Sequence, residues 1–264
     1  MLGRCKFHPR LWLPSAKKRV TVSCDAALKT HPKEMAATAF IVKDQRSIPL
    51  FAGVCWGYKF KKNTQLEGES LRLWTTFLAQ RKSMTELHVE TDLDTLPGIV
   101  NSRLYGEKDI SCDPNWSFLS GFRAEVVRPN SIWFEAVPGS VNKVAHNLTQ
   151  IGCLYNLLEE NLNLKVWTFR KELKRNNTYK VKVLKDPTTS VEVEVVEKNA
   201  PRELKLCLAL DFVRRYLVVH RIKEKESEQI KIPKFNSSDE IGRFFLGVIE
   251  GNIDFIVLQR IILI

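Results

Sequence analysis

Residues Arg19–Leu28, RVTVSCDAAL, alternate along the chain. Val20, Val22 and Cys24 are apolar, while Thr21, Ser23 and Asp25 are polar. A period of two predicts a half-buried strand that ends in the Asp25 carboxylate. The small residues Ala26 and Ala27 follow, leaving room beside the acid for a metal ion and a phosphate. The plainer alternative is a strand that ends in a solvated Asp. Ala36–Val42 (AATAFIV) and Ile48–Tyr58 (IPLFAGVCWGY) are two further apolar runs, joined by turn-like polar patches. Three short strands with tight connections predict an antiparallel meander.

The period then changes. In Leu66–Gln80, Leu66, Leu73, Phe77 and Leu78 recur at helical spacing. Glu86–Asp92 (ELHVETD) reads as a strand ending in a second carboxylate. Leu93–Leu104 and Trp116–Val126 read as helices, and Ser131–Val137 as a strand. Gly139–Leu154 reads as a helix with Val141, Val144, Ala145 and Leu148 inward. The predicted order is β-β-β-α-β-α-α-β-α.

Three acids fall at comparable places. Asp25 and Asp92 end strands, and Glu69 lies in the first turns of the helix between them. Parallel neighbouring strands would set Asp25 beside Asp92, with Glu69 leaning over both. Clustered carboxylates repel unless a divalent cation lies between them. Oxygen ligands alone favour Mg²⁺ or Mn²⁺ over zinc, and such ions serve phosphodiester cleavage.

The second half has another rhythm. Residues 156–164 are polar and read as a linker or helix extension; residues 165–264 read as a small α+β accessory domain. Thr178–Leu184 and Val191–Val196 alternate strictly. Leu204–Val219 reads as two strands and Gln229–Ile232 as another. Asp239–Ile249 reads as a helix capped by Ser237 or Ser238 and stopped at Gly251.

Composition adds charge to this picture. The net charge of +11 over 264 residues suits a polyanionic partner such as nucleic acid, or serves solubility alone. Lys59, Lys61 and Lys62 follow the third strand, and Lys143 begins the last helix of the first half. Residues 1–16 form a basic arm ahead of Lys17, Lys18 and Arg19. Cys5, Cys24, Cys55, Cys112, Cys153 and Cys207 form no CxxC pair and read as reduced thiols of an intracellular protein, nuclear or cytoplasmic, with an organelle left open. No apolar run is long enough to span a bilayer. Trp56, Trp74, Trp116 and Trp133 sit in apolar runs and read as core. Oligomeric state is not legible.

The set Asp25-Ala26-Ala27, Gly68-Glu69-Ser70-Leu71-Arg72-Leu73, Glu90-Thr91-Asp92 and Gly139-Ser140-Val141-Asn142-Lys143-Val144-Ala145-His146-Asn147-Leu148 resembles the plant retroelement-derived ribonuclease H-like domain. That family's elements are an Asp-Gly/Ala-Ala strand, an Ala-Glu-x-x-Ala-Leu helix, a Glu-Ser-Asp strand end and a closing Arg-x-x-Asn-x-x-Ala-Asp/His-x-Leu helix. Trp12 and Pro14 resemble its preceding segment. The likeness covers residues 10–155. It implies an α/β fold: a mixed five-stranded sheet flanked by helices over residues 17–155, followed by the small α+β domain. It also implies Asp25, Glu69 and Asp92 as Mg²⁺ (or Mn²⁺) ligands and catalytic groups, with His146 in the place of the fourth carboxylate. Lys59, Lys61, Lys62, Asn142 and Lys143 are its implied nucleic-acid contacts. The substrate it implies is an RNA–DNA hybrid, whose RNA strand is hydrolysed. The family's loop His falls near Ala136 and its Arg on Gly139, so a weakened or inactive nucleic-acid-binding module is the alternative. The run RRYLVVHRI…EQIKIPKF…IGRFFLGVIEG is similar to a repeat of the purine-rich-element single-strand-binding family, which implies Arg214, Arg215, Tyr216, Lys231 and Lys234 as contacts to single strands.

Overall fold

A computed structural model describes residues 19–30, 33–44, 48–81, 86–105, 119, 131–139, 141–169, 178–201, 204, 205 and 208. The predicted meander forms as β1 (Arg19–Lys29), β2 (Met35–Lys43) and β3 (Pro49–Trp56). Helix α1 (Asn63–Ala79) leads to β4 (Glu86–Thr91), α2 (Leu96–Tyr105), β5 (Ser131–Ala136) and α3 (Lys143–Leu158). Strand β2 runs antiparallel to β1 and β3, while β1, β4 and β5 are parallel. The order is β5-β4-β1-β2-β3, the mixed five-stranded sheet expected from the sequence, and β6 (Asn163–Thr168) and β9 (Glu197–Asn199) extend it past β3.

The helices cover opposite faces because β2 alternates. Phe40 stacks on Trp74 of α1, with ring centroids 4.3 Å apart. Ala37, three positions earlier and so on the other face, lies under Gly152 of α3. A Cβ on Gly152 would sit 2.7 Å from the Ala37 Cβ. Small residues on both sides thus let α3 lie close to the sheet. Trp56 and Trp74 are core, as expected. Trp133 is not: it is 53% exposed. Its neighbours Ile132 and Phe134 are buried, so in edge strand β5 the alternation turns Trp133 outward. Trp116 lies outside the described residues. Cys24, Cys55 and Cys153 are buried free thiols.

Two boundaries differ from expectation. Helix α3 starts at Lys143 rather than Gly139, because Pro138 C=O accepts from the Val141 and Asn142 amides and closes a turn first. It runs on to Leu158, and Asn156 is buried, its Oδ1 accepting from Ala36 N at 2.9 Å. Residues 156–158 thus extend the helix, one of the two readings the polar run allowed, and β6 begins at Asn163.

Contacts divide the chain into two units, Met1–Trp167 with Lys174–Lys198, and Thr168–Leu173 with Asn199–Ile264. The predicted strands Thr178–Leu184 and Val191–Val196 exist as β7 (Tyr179–Leu184) and β8 (Ser190–Val195), an antiparallel hairpin. They belong to the first unit, not to a domain beginning at residue 165. In α1, every residue from Leu66 to Ala79 except Thr76 is buried. A helix buried all round needs cover on two sides; the sheet gives one and the hairpin the other. In the second unit, Leu204, Lys205 and Leu208 are helical where alternating leucines predicted a strand. Leu204 and Leu208 are buried, and their spacing of four serves a helix as well. The described residues include neither the basic arm, the elements expected beyond residue 208, nor Arg214, Arg215, Tyr216, Lys231 and Lys234, and of the expected helix Trp116–Val126 they include Leu119 alone, which is buried. Among them, no helix is long and apolar enough to cross a membrane.

Candidate metal centre

Strand β1 does not end at Asp25; it continues to Lys29 against β2. Its parallel pairing with β4 stops at Ser23↔Glu90. Asp25 and Asp92 each lie two residues past that pair, side by side where the strands part. The third acid comes from α1. Ser70 Oγ donates to the Asp25 carbonyl at 2.9 Å and fixes that helix face over β1. Glu67, one turn before Ser70, is thereby brought to the two aspartates. Ligand oxygens of Asp25, Glu67 and Asp92 all lie within 4.8 Å of one another. Asp25 and Glu67 are buried, and Asp92 is partly open to solvent.

Glu69 does not complete the group. Residues two apart on a helix point about 200° apart, so Glu69 faces away from the strands. Its carboxylate accepts from Arg72 Nε at 2.6 Å and Nη2 at 2.9 Å, and from the Leu184 amide of β7 at 2.9 Å. Arg72 Nη2 also donates to the Lys182 carbonyl at 3.0 Å. This buried pair fastens the hairpin to α1. Glu67 was legible: followed by Ser70 and Leu71, it fits Ala-Glu-x-x-Ala-Leu better than Glu69, which would put Arg72 at the small position.

The trio is electrostatically costly. Burial, then Thr149, then Asp92 and His146, act on the Asp25 carboxyl; burial dominates and pushes it up to about 6. Burial also pushes Glu67 well up, and Asp25 and Asp92 add to it against donors from Ala26 and Asn63. Glu67 Oε2 is buried with no hydrogen-bond partner, as is Asn142 Oδ1. A buried bare carboxylate oxygen facing two more carboxylates is costly in water-free surroundings. A hard divalent cation offsets both the repulsion and the missing bond, and three carboxylates are the donors Mg²⁺ or Mn²⁺ take. The residues present fit such an ion.

The closing helix supplies the remaining contacts. Thr149 Oγ1 donates to Asp25 Oδ2 at 2.9 Å, a contact not foreseen, although it lies three residues past His146 on the same face. His146, 54% exposed, sets Nδ1 3.4 Å from that oxygen. Asn142 Nδ2 donates to the Cys24 carbonyl at 2.7 Å and approaches Asp92 Oδ1 at 3.4 Å, tying the start of α3 to both strands. Beside Asp92, a Cβ on Gly139 would lie 3.3 Å from Oδ2. Lys59, Lys62 and Lys143 have exposed side chains. Lys61 Nζ is 3.1 Å from Glu34, and the Lys59 amide donates to the Lys185 carbonyl.

No protein-family model matches the sequence, and no curated protein matches it. Among solved structures, the chain is similar to ribonuclease H1 from the halophilic archaeon Halobacterium salinarum NRC-1, with 19% identity and a TM-score of 0.42 over 51% of this chain and 96% of that one. It is similar to the N-terminal RNase H domain of rv2228c from Mycobacterium tuberculosis, with 19% identity and a TM-score of 0.42 over 53% and 96%. LC11-RNase H1 in complex with an RNA/DNA hybrid is similar at 17% identity and a TM-score of 0.38, over 52% and 99%.

Proposed function

We propose that this chain is a divalent-cation-dependent nucleic-acid protein with a ribonuclease H-like fold, acting on the RNA strand of RNA–DNA hybrids. The observation that carries this reading is the convergence of Asp25, Glu67 and Asp92, with Glu67 Oε2 buried and bare. Asp25, Glu67 and Asp92 are the residues that would hold Mg²⁺ or Mn²⁺. When bound, such an ion polarises a phosphodiester and makes a bound water easier to deprotonate. The protein's own groups orient and anchor. Asn142 and Thr149 fix the two aspartates through hydrogen bonds. Lys59, Lys62 and Lys143, whose side chains are exposed, are the phosphate contacts of this reading, and such contacts give affinity without reading sequence. In the hydrolysis, water adds to phosphorus, the bond to the 3′ oxygen breaks, and that oxygen takes up a proton.

A second reading is a module that binds without cutting. It is favoured by His146, a neutral or cationic group where the resemblance puts a fourth carboxylate. A labelled hybrid incubated with Mg²⁺ or Mn²⁺, beside Asp25→Asn, separates the two. Cation-dependent cutting lost in the variant supports hydrolysis. Equal binding by both proteins without cutting supports the module. Neither binding nor cutting overturns both.

A further inference from the structure

The hairpin β7–β8 lies beyond residue 155, where the resemblance drawn from the sequence ends. It is nevertheless tied to the first 155 residues at several points. Its strands are fastened to α1, where Glu69 accepts from the Leu184 amide at 2.9 Å and Arg72 Nη2 donates to the Lys182 carbonyl at 3.0 Å. Its tip is fastened to the segment that leads into α1, where the Lys59 amide donates to the Lys185 carbonyl at 2.7 Å. The turn is also shaped from within. Asp186 Oδ1 accepts from the Thr188 amide at 2.9 Å, from the Thr188 hydroxyl at 2.8 Å and from the Thr189 amide at 2.8 Å. The Lys185 amide closes the turn on the Thr189 carbonyl at 2.8 Å. A backbone held at this many points has a fixed position relative to α1.

That position lies on the path to the acidic trio. Lys59 is followed by Lys61, Lys62 and Asn63; Asn63 opens α1, and its side chain bonds Glu67. The lysines near the tip differ in how they are matched. Lys61 has Glu34 at 3.1 Å, and Lys180, farther along the hairpin, has Glu192 at 3.6 Å. Lys59 acts on Glu160, which Lys33 already holds. Lys185 is only partly exposed, and among the described residues no carboxylate pairs with it. An unmatched, partly buried lysine set beside Lys59 by a backbone bond is an arrangement that a phosphate completes, since the ammonium meets it as a point charge. Resting on the nucleic-acid reading above, we infer that the tip of this hairpin is part of the nucleic-acid surface and that Lys185 contacts a backbone phosphate. The hairpin then lengthens the bound footprint from the trio past the start of α1, without adding sequence preference.

The test is binding of a labelled RNA–DNA hybrid to the full chain across a salt series, for the natural protein, Lys185→Ala, Lys185→Arg and Lys180→Ala. The hydrogen bonds of Lys185 described above are made by its backbone, so Lys185→Ala keeps them, and a melting curve checks the fold. Lys185→Ala is expected to lower the slope of log affinity against log salt by about 1. Lys185→Arg is expected to keep the natural slope, and so is Lys180→Ala, because Glu192 already matches that charge. An unchanged slope in Lys185→Ala overturns the inference and leaves the nucleic-acid reading standing. So does an equal loss in Lys180→Ala, which would show an effect of overall charge and not of a contact. Absence of hybrid binding by the natural protein overturns the nucleic-acid reading itself, and the inference with it.

Discussion

At Asp25, burial raises the carboxyl to about 6, and this has a definite sign. A folded pKa above the unfolded value near 4 means that the neutral acid is the form the fold prefers. The stabilisation is complete below pH ~4 and is lost as pH rises through 6. Without divalent ions, this one group should reduce stability by about 3 kcal/mol across that window. Chemical denaturation in chelator at several pH values reads it, and a flat profile would refute it. The adjacent acids separate in the same way. Glu67→Gln should leave the unfolding midpoint in chelator unchanged or higher, since it removes like-charge repulsion, and should abolish the rise in melting temperature on adding Mn²⁺. Glu69→Gln should do the reverse: the rise survives, while stability falls by about 3–5 kcal/mol because the buried Arg72 loses the Glu69 carboxylate. These residues also mark how far the sequence could be read. Strand alternation located Asp25 and Asp92, because their backbone is local and periodic. Periodicity could not choose between Glu67 and Glu69, which helical spacing separates by half a turn; only the small Ser70 and the Leu71 that follow Glu67 favoured it. Besides Arg72, Glu69 is held by the Leu184 amide, 115 residues away, and Arg72 in turn by the Lys182 carbonyl.

Elements were legible where one periodicity ruled. The three strands of the meander, α1 and the β7–β8 alternation follow from the pattern of apolar positions, and the structure has them. What packed on what was not. The Lys and Glu residues of β7 and β8 alternate with Val181, Val183, Val193 and Val195, which are buried, but nothing in that run names α1 as the surface they cover. Trp133 failed for a related reason: an apolar run cannot tell an edge strand from a central one. The contact between α3 and β2 gives a prediction at this scale. Gly152→Ala would press a methyl to within 2.7 Å of the Ala37 Cβ. Overpacking of this kind costs about 1–3 kcal/mol. Equilibrium denaturation should show that loss, and Ala37→Gly in the same chain should recover part of it.

Over the whole molecule, the excess of 41 Lys and Arg over 30 Asp and Glu sets what a polyanion meets. If hybrid binding runs through Lys59, Lys62 and Lys143, replacing any one with Ala should lower the slope of log affinity against log salt by about 1, whatever the sequence bound. Lys61 should matter less, because Glu34 already sits 3.1 Å from its ammonium. Filter binding across a salt series checks both statements. Equal effects at all four positions would place the contact surface elsewhere. Half of the molecule's plan was readable in this way, from charge and from the first 155 residues. The remainder depends on pairings between distant segments that no local pattern encodes.

The fastening of β7 to α1 bears on how this protein can be cut down. A fragment ending with α3 would keep every acid of the trio. It would also strip the outer wall from a buried helix, taking the Lys182 carbonyl from the guanidinium of Arg72 and the Leu184 amide from the carboxylate of Glu69. The shortest piece expected to bind Mn²⁺ therefore reaches Val195, forty-six residues past Thr149, the last group that touches Asp25.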